Sequence, residues 1–305
     1  MKYPRDMIGY GENPPNPEWP GGARLALQIV LNYEEGAESS ILHGDEFSEH
    51  MNSDMTGVSP WAHERNLVME SHYEYGSRVG VWSLLDLFAE RAMPVTVFAV
   101  GMALERTPDV ARRFVADGHE IAAHGWRWID YRKCPAAVEA DHINRTVAVI
   151  EALTGSRPLG WYTGRVSPNT RRLVCREGGF LYDSDAYNDD LPYWTQVDGQ
   201  NHLIVPYAFD TNDMRFASAP GFNSGDDYFG YLRDSFDFLY ATGAKRPRMM
   251  SVGLHCRLAG RPGRLLALQR FLDHVARHRD VWICRRIDIA RHWIASHPAE
   301  VAPGR

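Results

Sequence analysis

From residue 24 onward the chain alternates short β-branched apolar runs with longer amphipathic stretches, the pattern of successive β-α units around a mostly parallel sheet. The apolar runs predict strands at 24–31, 95–100, 120–123, 159–163, 180–183, 203–207, 249–254 and 281–284. Helices are predicted between them. The stretch 78–91 carries Val79, Trp82, Leu85 and Phe88 at helical spacing, with Pro94 behind it as a stop. Similar stripes run through 108–117, 136–153, 168–177, 226–241, 262–277 and 286–295, and Gly118, Gly155, Gly178 and Gly243 stand behind four of them as helix stops. The fold class is therefore α/β. No linker composition or repeat divides the body, so the chain reads as one domain, 24–298, with a proline-rich arm at 1–23 and a tail at 299–305. The segment 36–75 is far longer than a usual βα loop and is read as functional or oligomeric.

The net charge of -6 gives no basic stripe for nucleic acid, which leaves a small or neutral substrate as the better expectation. There is neither the apolar stretch of a secretory signal nor a run of the ~20 apolar residues that span a bilayer. A cytoplasmic chain without membrane contact is expected. Cys134, Cys175, Cys256 and Cys284 form no C-x-x-C pair and are expected as reduced thiols.

In β/α barrels the loops after the strands build the active site, so the polar residues behind each apolar run carry the argument. They are Asn32, Glu34 and Glu35; His124; Thr163 and Arg165; Asp183 and Asp185; Asp210, Asn212 and Asp213; and His255 and Arg257. Six strand ends thus deliver titratable or hydrogen-bonding groups to one rim. Singly, each has a plainer reading: Glu34-Glu35 as solvated loop carboxylates, and Trp126, Trp128 and Trp161 as core filling instead of pocket walls. The position of the tryptophans beside His124 favours the pocket. His119, His202, His278 and His297 are read as capping or surface groups.

These residues resemble the motifs of the polysaccharide deacetylase (NodB-homology) superfamily, in order along nearly the whole chain. Tyr33-Glu34-Glu35-Gly36 resembles the first motif, an aromatic residue, two aspartates and a glycine; His124-Gly125-Trp126-Arg127-Trp128 resembles a pair of histidines four apart. Trp161 to Arg165, Tyr182 to Asp185 and Leu254-His255 resemble the remaining three. Two positions depart from the family: Glu35 stands where a metal-binding aspartate is expected, and Trp128 where the second metal-binding histidine is expected. Tryptophan cannot ligate zinc, so a metal-free site without any cofactor is expected.

That pattern of losses, with segments such as NYEEGAESSILHGD and GLHCRLAGRP, is similar to the deacetylase-like allantoinases. The resemblance implies a distorted, TIM-like β/α barrel of the NodB type that hydrolyses the hydantoin ring of allantoin to allantoate, assembled as a homo-oligomer, a tetramer. It also implies Glu34 as general base and His255 as general acid. Glu35 and His124 would orient water or polarise the carbonyl, and Trp126, Trp128, Trp161, Arg165, Asp185, Asn212 and Asp213 would bind substrate. Two adjacent buried carboxylates share their titration, so one of Glu34 and Glu35 is expected to stay protonated near neutral pH. The alternatives are hydrolysis of another cyclic imide or hydantoin, a metal-dependent N-deacetylase of sugar polymers, and a catalytically silent barrel kept for binding.

Overall fold

The computed structural model describes residue 3 and residues 5–299. Strand β1 (Leu25–Tyr33) is buried along its whole length, as a strand covered on both faces must be. After it come helix α1 (Leu67–Tyr75), a single π turn (Gly76–Gly80) and α2 (Val81–Ala89), then β2 (Thr96–Ala99), α3 (Gly101–Arg106), α4 (Pro108–Ala116) and β3 (Glu120–Ala123). The chain continues through α5 (Ala136–Thr154), β4 (Gly160–Trp161), α6 (Thr170–Glu177), β5 (Tyr182–Asp183), β6 (Tyr193–Val197) and β7 (Gln200–Ile204). It ends with α7 (Gly225–Gly243), β8 (Arg248–His255), α8 (Cys256–Ala259), α9 (Pro262–Val275), β9 (Val281–Ile283) and α10 (Arg286–Ser296).

The strands form one curled sheet in the order β6-β7-β5-β4-β3-β2-β1-β8, with β9 also paired to β1. All pairings are parallel except the β6-β7 hairpin. This is the distorted, half-closed form of the expected barrel. Between β8 and the far edge the only ladder contact among the described residues is a single bridge, Asn212 to Gly253. Arg286, wholly buried, spans that gap: its guanidinium donates to Gln28 on β1, Ser251 on β8, Ser184 after β5 and the carbonyls of Val205 and Pro206 after β7.

Several elements differ from the sequence expectation. The arm is not separate from the body: Trp19 is buried against Trp282 and Trp293, its indole N–H donates to the Arg248 carbonyl, and His292 reaches back to the Pro17 carbonyl. Ala299 is the only described residue of the expected tail. Strand β6 was not expected, although the Asp198-Gly199 turn that joins it to β7 has both residues at positive φ, 49° and 82°, as a two-residue hairpin requires. Gly118, Gly155 and Gly178 hold positive φ behind α4, α5 and α6, whereas Gly243 lies inside the last turn of α7. A Cβ at Gly243 would stand 2.3 Å from the Arg24 carbonyl oxygen, so close approach and not helix termination explains that glycine. No described helix is long and apolar enough to cross a membrane, and all four cysteines are free.

Candidate active site

The parallel register aligns the rim. Asn32 sits beside His255 across β1 and β8, and Tyr33 beside Ala99, which in turn pairs with Ala123. The residues that immediately follow these positions, Glu34, Glu35 and His124, therefore meet the end of β8. An aromatic floor lies beneath them: Phe98 stacks on Tyr162 at 4.6 Å between ring centres and Tyr162 on His124 at 5.0 Å.

Glu34 is the centre of the cluster. One carboxylate oxygen, Oε1, lies 3.3 Å from His124 Nε2 and 3.5 Å from His255 Nε2, and the other accepts from Arg257 Nη2 at 2.7 Å. Arg257 turns its second amino group to Glu35 at 3.3 Å, and the Glu35 carboxylate accepts the Glu34 backbone N–H at 3.0 Å. Glu34, Glu35, His124, His255 and Arg257 are all buried. His124 Nδ1 faces the Tyr162 carbonyl at 2.9 Å, and a carbonyl only accepts; Nδ1 therefore carries hydrogen, and the contact of Nε2 with Glu34 needs a further proton between them. His255 Nδ1 donates to Asp213 at 2.6 Å, which turns Nε2 toward Glu34.

The two carboxylates differ. Burial pushes the Glu34 carboxyl upward, but Arg257, His255 and His124 outweigh it and hold it well below the usual carboxylate range. Burial and the neighbouring Glu34 charge leave Glu35 raised despite Arg257. The expected sharing of protons is thus asymmetric: Glu34 is the anion and Glu35 the group that retains a proton more readily. Burial would lower His255, yet Glu34 and Asp213 prevail and raise it to about 9.

The residues expected to bind substrate fall into two sets. Trp128 reaches the cluster, with the Arg257 guanidinium 5.5 Å from its ring centre and Arg165 covering it at 3.5 Å. Arg165 also pairs with Glu49 at 3.3 Å. The other tryptophans are not walls. Trp161 packs edge-on against Phe180 in the main apolar core, because strand alternation turns Tyr162 and not Trp161 inward. Trp126 lies against Gly101 of α3, under Arg145. Asp185 is bound by the backbone N–H groups of Thr163 and Gly164, and burial with the Asp183 charge raises it to about 6. Asn212 donates to Tyr207, and Asp213, wholly buried, accepts from the backbone of His255 and Ala259 as well as the His255 ring. These last two hold the site together from behind, which explains why polarity at a strand end overstated their role as ligand contacts. His202, expected as a capping or surface group, is buried and pairs with Asp183 at 2.9 Å.

Tyr73 and Glu38 come from the long insertion and had no signal in the strand pattern. The Arg257 guanidinium stacks 4.0 Å above Tyr73, and Glu38, whose carboxyl burial lifts to about 7, accepts from the Gly36 N–H. Arg257 was visible as a strand-end group, but its partners were not. The residues at the family's metal position do not fit a divalent ion: one imidazole nitrogen faces Glu34, both carboxylates are engaged by a fixed guanidinium, and the third position is an indole.

The Polysaccharide deacetylase family matches residues 67–175. A Schizosaccharomyces pombe (strain 972) protein, provisionally named a polysaccharide deacetylase, is 42% identical over 98% of this chain and 99% of its own. A crystal structure of Puue allantoinase is 59% identical, with a TM-score of 0.96 over 98% of this chain and 100% of that one. A structure from Pseudomonas aeruginosa PAO1, provisionally named a polysaccharide deacetylase, is 57% identical, with a TM-score of 0.95 over 98% and 100%.

Proposed function

The chain belongs to the polysaccharide deacetylase family, a family of hydrolases, and from that premise we propose that it is an allantoinase, opening the hydantoin ring of allantoin to allantoate without a bound metal. The observation that carries the reading is the buried carboxylate of Glu34 set between two imidazoles and a guanidinium, where an indole replaces the family's second histidine. The 59% identity to Puue allantoinase over nearly the whole chain supports the choice of substrate.

Glu34 accepts a proton from water as its oxygen attacks the ring carbonyl, with His124 orienting that water. His255, kept as imidazolium by Asp213 and Glu34, gives its Nε2 proton to the ring nitrogen as the C–N bond breaks. The proton held by Glu34 then returns to His255, whose Nε2 lies 3.5 Å from the same oxygen. Trp128 supplies a flat apolar side for the heterocycle, Arg165 and Asp185 take its polar edges, and Asn212 and Asp213 are positioning residues. The active form is a cytoplasmic homo-oligomer, a tetramer; exposed Leu42, Trp61, Leu67 and Val68 on the insertion support a contact between copies.

The test is release of allantoate from allantoin by purified protein after exhaustive chelation, with other cyclic imides and an acetylated chitooligosaccharide offered in parallel. Turnover of allantoin that survives chelation is expected. Preferential opening of another imide, acetate release from the oligosaccharide, or activity that returns only with added zinc would each overturn the reading.

A further inference from the structure

A second cluster lies where α7 meets α9, near the N-terminal ends of β8 and β9 and so at the opposite end of the strands from Glu34. Asp237 on α7, His274 in the last turn of α9 and His278 just beyond it each bring one donor atom within 4.8 Å of the other two. Helical spacing produces this, since residues four apart at a helix end share a side. Asp237 and His274 meet at 2.6 Å. That ion pair accounts for two of the groups and leaves the third unexplained. His278 donates from Nδ1 to the His274 carbonyl at 3.0 Å, which leaves the lone pair on Nε2, and no described residue hydrogen-bonds to that nitrogen. A backbone carbonyl that orients one ring nitrogen so the other can ligate is the usual second contact of a metal-bound histidine. Phe236 and Tyr240 hold the His278 ring edge-on at 5.0 and 4.9 Å, and Phe236 does the same for His274 at 5.7 Å, so both imidazoles are oriented in advance.

We propose that Asp237, His274 and His278 form a binding site for a divalent transition cation, with zinc the best match to two imidazoles and a carboxylate. Three protein donors leave a position open to water, and the bound ion ties α7 to α9. The site is independent of the proposed hydrolysis.

The experiment is calorimetric titration of zinc chloride into the whole chelated and dialysed protein, in parallel with His278→Ala and with Asp237→Asn, which changes an exposed residue. One zinc per chain is expected for the unaltered protein, with affinity at least tenfold weaker in each variant and a zinc-dependent rise in Tm that both variants lose. Hydrolytic turnover is expected to be the same with and without zinc. Absence of zinc uptake by the unaltered protein, or equal uptake by both variants, overturns the proposal and leaves the active-site reading untouched.

Discussion

Glu34 keeps its charge in a buried position only because three cations or proton donors surround it, and that balance makes individual residues testable. Glu34→Gln is expected to lower kcat by roughly 10²–10⁴-fold with a smaller change in KM, measured by steady-state kinetics with allantoin. Turnover should fall on the acid side as Glu34 is protonated, below the ordinary carboxylate range, and on the alkaline side as His255 loses its proton near pH 9. Asp213→Asn removes one of the two anions that hold the His255 proton, so a pH-rate profile should show the alkaline limb at lower pH. Both groups stabilise the fold, and their contributions change with pH in opposite directions. That of His255 is complete below its ordinary pKa of about 6.5 and is lost as pH rises through about 9, whereas that of Glu34 is present above its ordinary pKa and is lost as pH falls through its depressed one. Glu34, His124 and His255 were legible because each follows an apolar run, and the rim of a barrel gathers such positions. The jobs of Asp213 and Arg257 were not, since a polar strand end reads alike whether its side chain faces a ligand or clamps a neighbour.

Among the elements, the π turn between α1 and α2 matters most to the site. A Cβ on Gly76 would lie 2.3 Å from Glu35 Oε1, and one on Gly80 would lie 2.0 Å from the Cys256 carbonyl oxygen. The extra residue in the turn brings both glycines against the active cluster, a common use of such turns. Gly76→Ala should push Glu35 off Arg257 and lower kcat at least tenfold while circular dichroism stays unchanged. Gly80→Ala meets backbone, which cannot swing aside, and is expected to cost roughly 1–3 kcal/mol in denaturant unfolding. None of this was legible: α1 buries only Met69 and Tyr73 while exposing Leu67 and Val68, so its apolar pattern has no clear helical period. The β6-β7 hairpin could have been found, since Asp-Gly between two polar-apolar runs is a strong hairpin signal.

The whole molecule is a sheet whose edges meet largely through side chains, with a single backbone bridge between Asn212 and Gly253. Arg286 pairs with no carboxylate among the described residues, and burial lowers its pKa, yet it satisfies acceptors on four separate segments across the opening. Arg286→Met strands those acceptors, for which roughly 2–5 kcal/mol is expected from the cost of unpaired buried groups. At about 2–4 °C per kcal/mol, thermal unfolding should then show Tm lower by roughly 4–20 °C. The parallel β-α order was plain in the chain because local periodicity encodes it, but closure was not, because it depends on which distant polar atoms meet. The same distinction governs the N-terminal arm, which stands outside the β-α alternation of the sequence although Trp19 is 2% exposed. Since that indole is wedged beneath the strands, at the end of the barrel away from Glu34, shortening the chain to its first strand would unstopper the base, admit solvent to Trp282 and Trp293, and weaken catalysis from below without altering any group that meets the substrate.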